Sequence, residues 1–144
     1  MSRNAAALVI GNELLTGKIA DENTPYLART LFSLGITLRR VVICPDEIET
    51  IAEDLNALRG SHEHVFTSGG VGPTHDDITL DAVAHAFGVE LIRSVEMSDM
   101  IREHFGTRTT EEHLRMANLP RGSRLVRSGK FFWPTVVMEN VFVL

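Results

Sequence analysis

The sequence predicts a three-layer α/β/α sandwich with a mostly parallel central sheet and a small antiparallel C-terminal extension. Three observations predict it. Apolar runs at 5–10, 36–44 and 64–67 alternate with stretches of helical periodicity. The connections between those runs are long enough for parallel crossovers. Polar, glycine-containing loops follow the first and third runs, where a doubly wound sheet places its ligand. The 144 residues, 44% hydrophobic and 23% charged, suffice for one domain with its own core, here taken as 1–144.

The elements follow in order. Ala5–Ile10 is continuously apolar, as a strand buried on both faces must be. Gly11-Asn12-Glu13-Leu14-Leu15-Thr16-Gly17 reads as a loop. Asn23, Thr24 and Pro25 read as a cap and first-turn proline, ahead of Tyr26, Leu27, Leu31, Phe32 and Leu34 at helical spacing. Gly35 stops that helix. Ile36–Cys44 is the second strand. Asp46 with Glu49 forms a capping-box pattern opening a helix that buries Ile48, Ile51, Leu55 and Leu58 and closes at Gly60. His64–Thr67 is the third strand, and Leu80, Val83, Ala84 and Phe87 mark the next helix, which starts near Asp77 and stops at Gly88. Val89–Ile92 reads as a fourth strand, Val95–Phe105 as a helix and Thr110–Ala117 as a short one. Beyond the Pro120-Arg121-Gly122 turn, the runs Ser123–Val126, Lys130–Trp133, Thr135–Met138 and Val141–Leu144 predict the antiparallel extension. The apolar V-F-V-L end reads as a truncated C-terminus.

The chemistry concentrates in V-F-T-S-G-G-V-G-P-T-H-D-D-I-T-L-D, residues 65–81. Gly69, Gly70 and Gly72 free backbone N–H groups to face an anion, and a following helix adds its positive end. Thr67, Ser68 and Thr74 supply hydroxyls. Asp76 and Asp77 suit a divalent metal or a general base. Each residue also has a purely structural reading. Asp77 suits a helix N-cap, Asp46 a capping box, Asp81 a first helical turn and His75 a solvated loop. His62 and His64 alternate on one strand face, but no third metal ligand has matching spacing. Cys44 fits a small core residue, and Trp133 with Phe131 and Phe132 an edge or subunit contact.

Composition narrows the function class. A net charge of −5 without a basic cluster, and few aromatics, exclude a nucleic-acid backbone as partner. The one cysteine excludes an intrachain disulfide and a multi-cysteine zinc site and fits a reducing cytoplasm. The N-terminal apolar run is too short for a signal sequence or a membrane span, so no membrane partner is expected.

The combined motifs G-N-E-L-L-T-G, D-E-N, C-P-D-E and S-G-G-V-G-P-T-H-D-D-I-T resemble the molybdopterin-binding domain family of the MoaB/Mog type. G-P-T-H-D-D-I-T-L-D-A-V-A and M-A-N-L-P-R-G are most similar to the N-terminal domain of the CinA (competence/damage-inducible) group. W-P-T-V-V-M-E-N-V-F-V-L resembles the version fused to FAD synthases. The resemblance implies the same sandwich fold, a pterin or nucleotide pyrophosphate as ligand, and a dimer or trimer. It implies Asp77 and Asp46 as catalytic residues and places the ligand against Gly11, Asn12, Glu13, Thr67, Ser68, Gly69, Gly70, Gly72 and Thr74. A divalent ion such as Mg²⁺ would sit at Asp76 and Asp77. The implied activity is metal-dependent hydrolysis of ADP-ribose or a related nucleotide pyrophosphate; the alternative is a non-catalytic molybdopterin-binding or molybdenum-cofactor biosynthesis domain. One departure matters: the family commonly has Asp where Asn12 stands. Asn brings no charge and is a poorer ligand for a hard cation, which favours binding over catalysis.

Overall fold

The computed structural model describes residues 3–129 and 133–144. Its elements are β1 (Arg3–Ile10), α1 (Asn12–Leu15), α2 (Asn23–Ser33), β2 (Ile36–Cys44), α3 (Ile48–Ser61), β3 (His64–Ser68), α4 (Thr79–Phe87), β4 (Leu91–Arg93), α5 (Val95–Phe105), α6 (Glu111–Arg115), β5 (Asn118–Pro120), β6 (Arg124–Val126), β7 (Thr135–Met138) and β8 (Val141–Val143). The six-stranded sheet runs β2-β1-β3-β8-β7-β6. β2, β1, β3 and β8 are parallel, whereas β7 and β6 add antiparallel at the far side.

Alternation along β1 sorts the layers. Ala6, Leu8 and Ile10 pack with Ile51, Leu55 and Leu58 of α3, Val83 of α4, and Met97 and Ile101 of α5 in the main core. Ala5, Ala7 and Val9 take the opposite face, where Ala7 and Val9 line a cleft with Tyr26 and Leu27 of α2. β2 serves both faces through a bulge: Leu38 pairs with Ala5 and Arg40 with Ala6, so Arg39 is the extra residue. The bulge turns Leu38 toward the α2 face and Val42 and Cys44 toward the main core. A regular strand of this composition would have put all three on one side.

Several sequence expectations need correction. The loop after β1 contains a helical turn, α1. α2 buries only Leu31, leaving Tyr26 and Phe32 67% and 80% exposed. Its first turn is held by Asp21, whose carboxylate accepts from the N–H groups of Asn23 and Thr24 and from the Thr24 hydroxyl. Pro25 is the third helical residue, not the first. α3 has no side-chain cap, so the Asp46–Glu49 capping box does not form. α4 starts at Thr79, two residues beyond Asp77, and Ile78 occupies its cap position without a side-chain bond. β4 does not join the main sheet but pairs antiparallel with β5. β8 is parallel to β3, because the Glu139–Asn140 turn folds it back from β7 into the gap beside β3. The Lys130–Trp133 run lies, apart from Trp133, outside the described residues, as do Phe131 and Phe132. Among the described residues no helix is long and apolar enough to cross a membrane.

Candidate functional site

The sheet order places β2 on one side of β1 and β3 on the other, so the order in which parallel strands are added switches direction at β1. Crevices at such switch points, outside the carboxyl ends of the strands, are where doubly wound sheets bind ligands. Three loops converge there: the one after β1, the one after β2 and the glycine loop after β3. A polar cleft of about 560 Å³ is lined by Asn12, Glu13, Thr16, Lys18, Asp46, His75, Asp76 and Ile78.

Two of its walls hold each other. Asn12 N–H donates to Asp46 Oδ2 at 3.1 Å, and Asp46 N–H donates to Asn12 Oδ1 at 3.0 Å. Gly11 N–H donates to Cys44 O at 3.1 Å just below this pair. Asp46 thus reaches back 34 residues to position the first loop instead of opening α3.

The glycine loop is closed on itself. Thr79 Oγ1 donates to Gly69 O at 2.8 Å, and Thr79 N–H donates to Gly70 O at 3.1 Å. Gly69 has φ +98°, and a Cβ there would lie 2.2 Å from the Ile10 carbonyl oxygen. Gly70 has φ +71°, and its Cβ would lie 2.2 Å from Thr79 Oγ1. Both glycines are therefore required by the close approach of loop, β1 and α4, whatever the ligand. Asp77 Oδ2 accepts from Thr74 N–H at 3.0 Å and Thr74 Oγ1 at 2.7 Å, and it would lie 2.8 Å from a Cβ on Gly72. The N–H groups of Gly70, Val71 and Gly72 donate to no protein acceptor among the described residues.

The residues singled out in the sequence fall into three groups. Asn12, Glu13, Asp46 and Asp76 share the polar cleft, whereas Gly11, just before them, is buried and does not line it. Ser68 and Gly69 lie along neighbouring clefts of about 380 and 340 Å³, where the Ser68 hydroxyl accepts from Asn23 Nδ2 at 3.0 Å. Gly70, Gly72 and Asp77 face a small gap of about 50 Å³ with Arg115 and Asn118, and Thr74 is held to Asp77. Asp76 and Asp77, adjacent in sequence, thus line different clefts. Thr67 also borders the cleft of about 340 Å³, but its side chain turns away from it. It shares with Val65 the face toward the main core, is fully buried, and its hydroxyl has no hydrogen-bond partner among the described residues.

The same geometry tests for a metal. Among the described residues no three His, Cys, Asp or Glu side chains gather closely enough to hold an ion. Glu13, Asp46 and Asp76 provide carboxylates along the cleft without a preformed ligand set. Such a site fits Mg²⁺ only as a partner of ligand phosphates, since that ion commonly takes one or two carboxylates and completes its shell with phosphate oxygens and water. His62 and His64 do not form a metal pair. His62 Nδ1 lies 3.0 Å from Leu58 O, and His64 packs edge-on to Phe142.

Sequence reasoning missed Thr16, Lys18, Asp21 and Asn23. Lys18 is the lysine among the cleft's lining residues and offsets its carboxylates. The spacing from Gly11 to Asn23 carries no periodicity that would mark these positions; the turn of α1 brings Thr16 and Lys18 to the cleft, and Asp21 and Asn23 line the neighbouring one of about 380 Å³. Cys44, 1% exposed beneath the Asn12–Asp46 pair, is held as a thiol: burial, then the charges of Asp54 and Asp46, push its pKa up to about 12.

Fold and cleft together define a doubly wound α/β domain with a polar crevice at its switch point. Residues 6–141 match the family described as "Probable molybdopterin binding domain", and the chain belongs to that family. It is 38% identical over 135 residues to a CinA-like protein of Myxococcus xanthus, covering 92% of this chain and 32% of that protein. It is 37% identical over 164 residues to a "Probable FAD synthase" of Caenorhabditis elegans, covering 99% of this chain and 32% of that one. The chain spans about a third to about half the length of these and other curated relatives it matches. A crystal structure of CinA from Thermoplasma acidophilum superposes with a TM-score of 0.89 at 27% identity, covering 99% of this chain and 88% of that one. The molybdopterin biosynthesis Mog protein of Mycobacterium ulcerans shares the fold, with a TM-score of 0.57 at 18% identity, 99% of this chain and 81% of that one.

Proposed function

We propose that the chain binds a pterin or a nucleotide pyrophosphate in the crevice between the carboxyl ends of β1 and β3. The observation that carries this reading is the convergence of three loops on one polar cleft of about 560 Å³. That size lies within the usual range for small-molecule sites. Asn12 and Lys18 supply donors there, and the N–H groups of Gly70 to Gly72, without an acceptor among the described residues, border the separate gap of about 50 Å³. The net charge of −5 favours a ligand whose phosphates arrive with a divalent ion, held against Asp46, Asp76 and Glu13.

The finer proposal is hydrolysis of ADP-ribose or a related pyrophosphate, with Asp46 and Asp77 in catalytic roles and Asp76 and Asp77 toward the metal. The second reading is a non-catalytic molybdopterin-binding or cofactor-biosynthesis domain. It is favoured by the Asp77 carboxylate, which is taken up by Thr74 and lines a different gap from Asp76. The purified chain is incubated with ADP-ribose and Mg²⁺, Mn²⁺ or Co²⁺, and AMP is followed. Release with any ion supports hydrolysis; none with every ion eliminates it. Thermal stabilisation by molybdopterin without stabilisation by ADP-ribose selects the second reading, and no stabilisation by either rejects both. Solution mass tests the proposed dimer or trimer.

A further inference from the structure

We propose that the opposite end of the sheet carries a second, separate binding site for a phosphate-bearing anion, built by Arg39 and Arg40 with Asn4, Ser61 and His62. These five residues line a cleft of about 320 Å³ at the amino-terminal edge of the parallel strands. Asn4 and Gly11 mark the two ends of β1, so the cleft is about 20 Å from the switch-point crevice. The site is independent of the function proposed above.

The β2 bulge makes it. In a regular strand Arg39 and Arg40 would point to opposite faces, but here Arg39 is the extra residue and both arginines line one cleft. Neither makes an ion pair or a hydrogen bond among the described residues, although the chain carries 19 acidic residues against 14 basic ones. Asn4 lies on the same β1 face as Ala6, which pairs with Arg40. The Asn4 Oδ1 accepts from Glu63 N–H at 2.8 Å, which orients the amide and leaves its Nδ2 without an acceptor among the described residues.

The third wall is the end of α3. A helix C-terminus normally repels anions through its open carbonyls. Here those carbonyls are engaged. Ser61 Oγ donates to Ala57 O at 3.0 Å, His62 Nδ1 lies 3.0 Å from Leu58 O, and Asn140 Nδ2 donates to Arg59 O and His62 O, each at 3.0 Å. With Nδ1 engaged, His62 can donate to an anion through Nε2 only as the imidazolium. The fixed charge of the site is therefore that of the two arginines. Glu63 is the acidic neighbour in sequence, and it is not among the residues lining the cleft. Two guanidinium groups beside the Asn4 amide match the oxygens of a phosphate group better than those of a monoanionic carboxylate.

The competing account is that arginines on β2, an edge strand, merely deter edge-to-edge pairing. The two are separated by titrating inorganic phosphate into the isotope-labelled chain at constant ionic strength, with acetate as control, and following side-chain Nε–H signals of Arg39 and Arg40 by NMR. The proposal expects saturable shifts there and at Ser61 and His62. R39Q/R40Q should weaken that response about tenfold, with the melting temperature and the response at Gly70 and Gly72 unchanged. Non-saturating shifts equal to those with acetate would overturn it, as would an affinity unchanged in the double variant. New self-association of R39Q/R40Q, in a parent whose arginines do not respond to phosphate, would establish edge protection instead.

Discussion

The loop after β1 and the glycine loop after β3 face the same crevice but are held by opposite means. The glycine loop is secured locally: Thr79 ties Gly69 and Gly70 to α4, and Asp77 ties Thr74 within four residues. The β1 loop has little of its own beyond the turn of α1. It depends on the reciprocal pair with Asp46, 34 residues away. One wall is therefore shaped by its own sequence, and the other by the docking of β2 against β1. Carboxylates that look alike in sequence divide accordingly: Asp77 stiffens one wall, and Asp46 joins two.

The largest expected effect tests the self-contained wall. Gly69→Ala places a methyl group 2.2 Å from a backbone oxygen at φ +98° and should cost about 3 kcal/mol or more in urea denaturation. A loss under 1 kcal/mol would mean that the loop is not packed against Ile10 as described.

Asp77→Ala should cost about 1–2 kcal/mol, because two donors on Thr74 lose a charged acceptor. Asp77→Asn keeps an oxygen in place and should stay within about 1 kcal/mol of the parent. If Asp77→Asn folds normally yet abolishes AMP release, Asp77 acts in chemistry; if turnover persists, it is a loop clamp alone.

The clasped wall should respond more weakly. Asp46→Ala and Asn12→Ala each remove one bond of an exposed pair, for about 1 kcal/mol apiece. Their double-mutant cycle should show a coupling of about 0.5 kcal/mol or more, whereas strict additivity would deny the clasp. Asp46→Asn retains an acceptor, so a loss of turnover in that variant isolates the charge.

Thr67→Val sharpens the contrast from outside the loops. Its hydroxyl is buried without a partner, so replacement should stabilise the fold by about 1 kcal/mol and leave ligand affinity unchanged. Weakened binding would restore Thr67 to the site.

The smallest effect is a pH dependence at Cys44. The folded protein binds the thiol proton more tightly than the unfolded chain does. The associated stability is complete below pH 9 and declines as the pH rises from about 9 toward about 12. Denaturation midpoints across that range should fall less steeply in Cys44→Ala than in the parent.

Much of the fold was legible because burial on two faces writes a distinctive pattern. Ile36–Cys44 and Thr135–Met138 have the boundaries read from sequence, and Ile51, Leu55 and Leu58 form the buried stripe expected of α3. What failed has local causes. An Asp ahead of a helix looks the same whether it caps that helix or reaches another loop, so Asp46 was assigned a box that does not form. The Tyr26–Leu34 stripe has helical spacing, but periodicity does not reveal how little of α2 the sheet covers. Leu91–Arg93 has the composition of a strand, yet its partner is β5, and nothing local to either distinguishes that pairing from the main sheet.

The sequence by itself determined the order β1-α2-β2-α3-β3-α4, the glycine loop between β3 and α4, and the family to which the chain belongs. Hydrophobic periodicity, turn residues and motif spacing are properties of neighbours along the chain. Only the tertiary structure decided that Asp76 and Asp77 part company, that Thr67 turns into the core, that Lys18 enters the crevice and that Arg39 and Arg40 share a cleft. Those outcomes depend on backbone direction at a few residues. A bulge, one helical turn or a single left-handed glycine redirects a side chain while leaving its sequence neighbours unchanged.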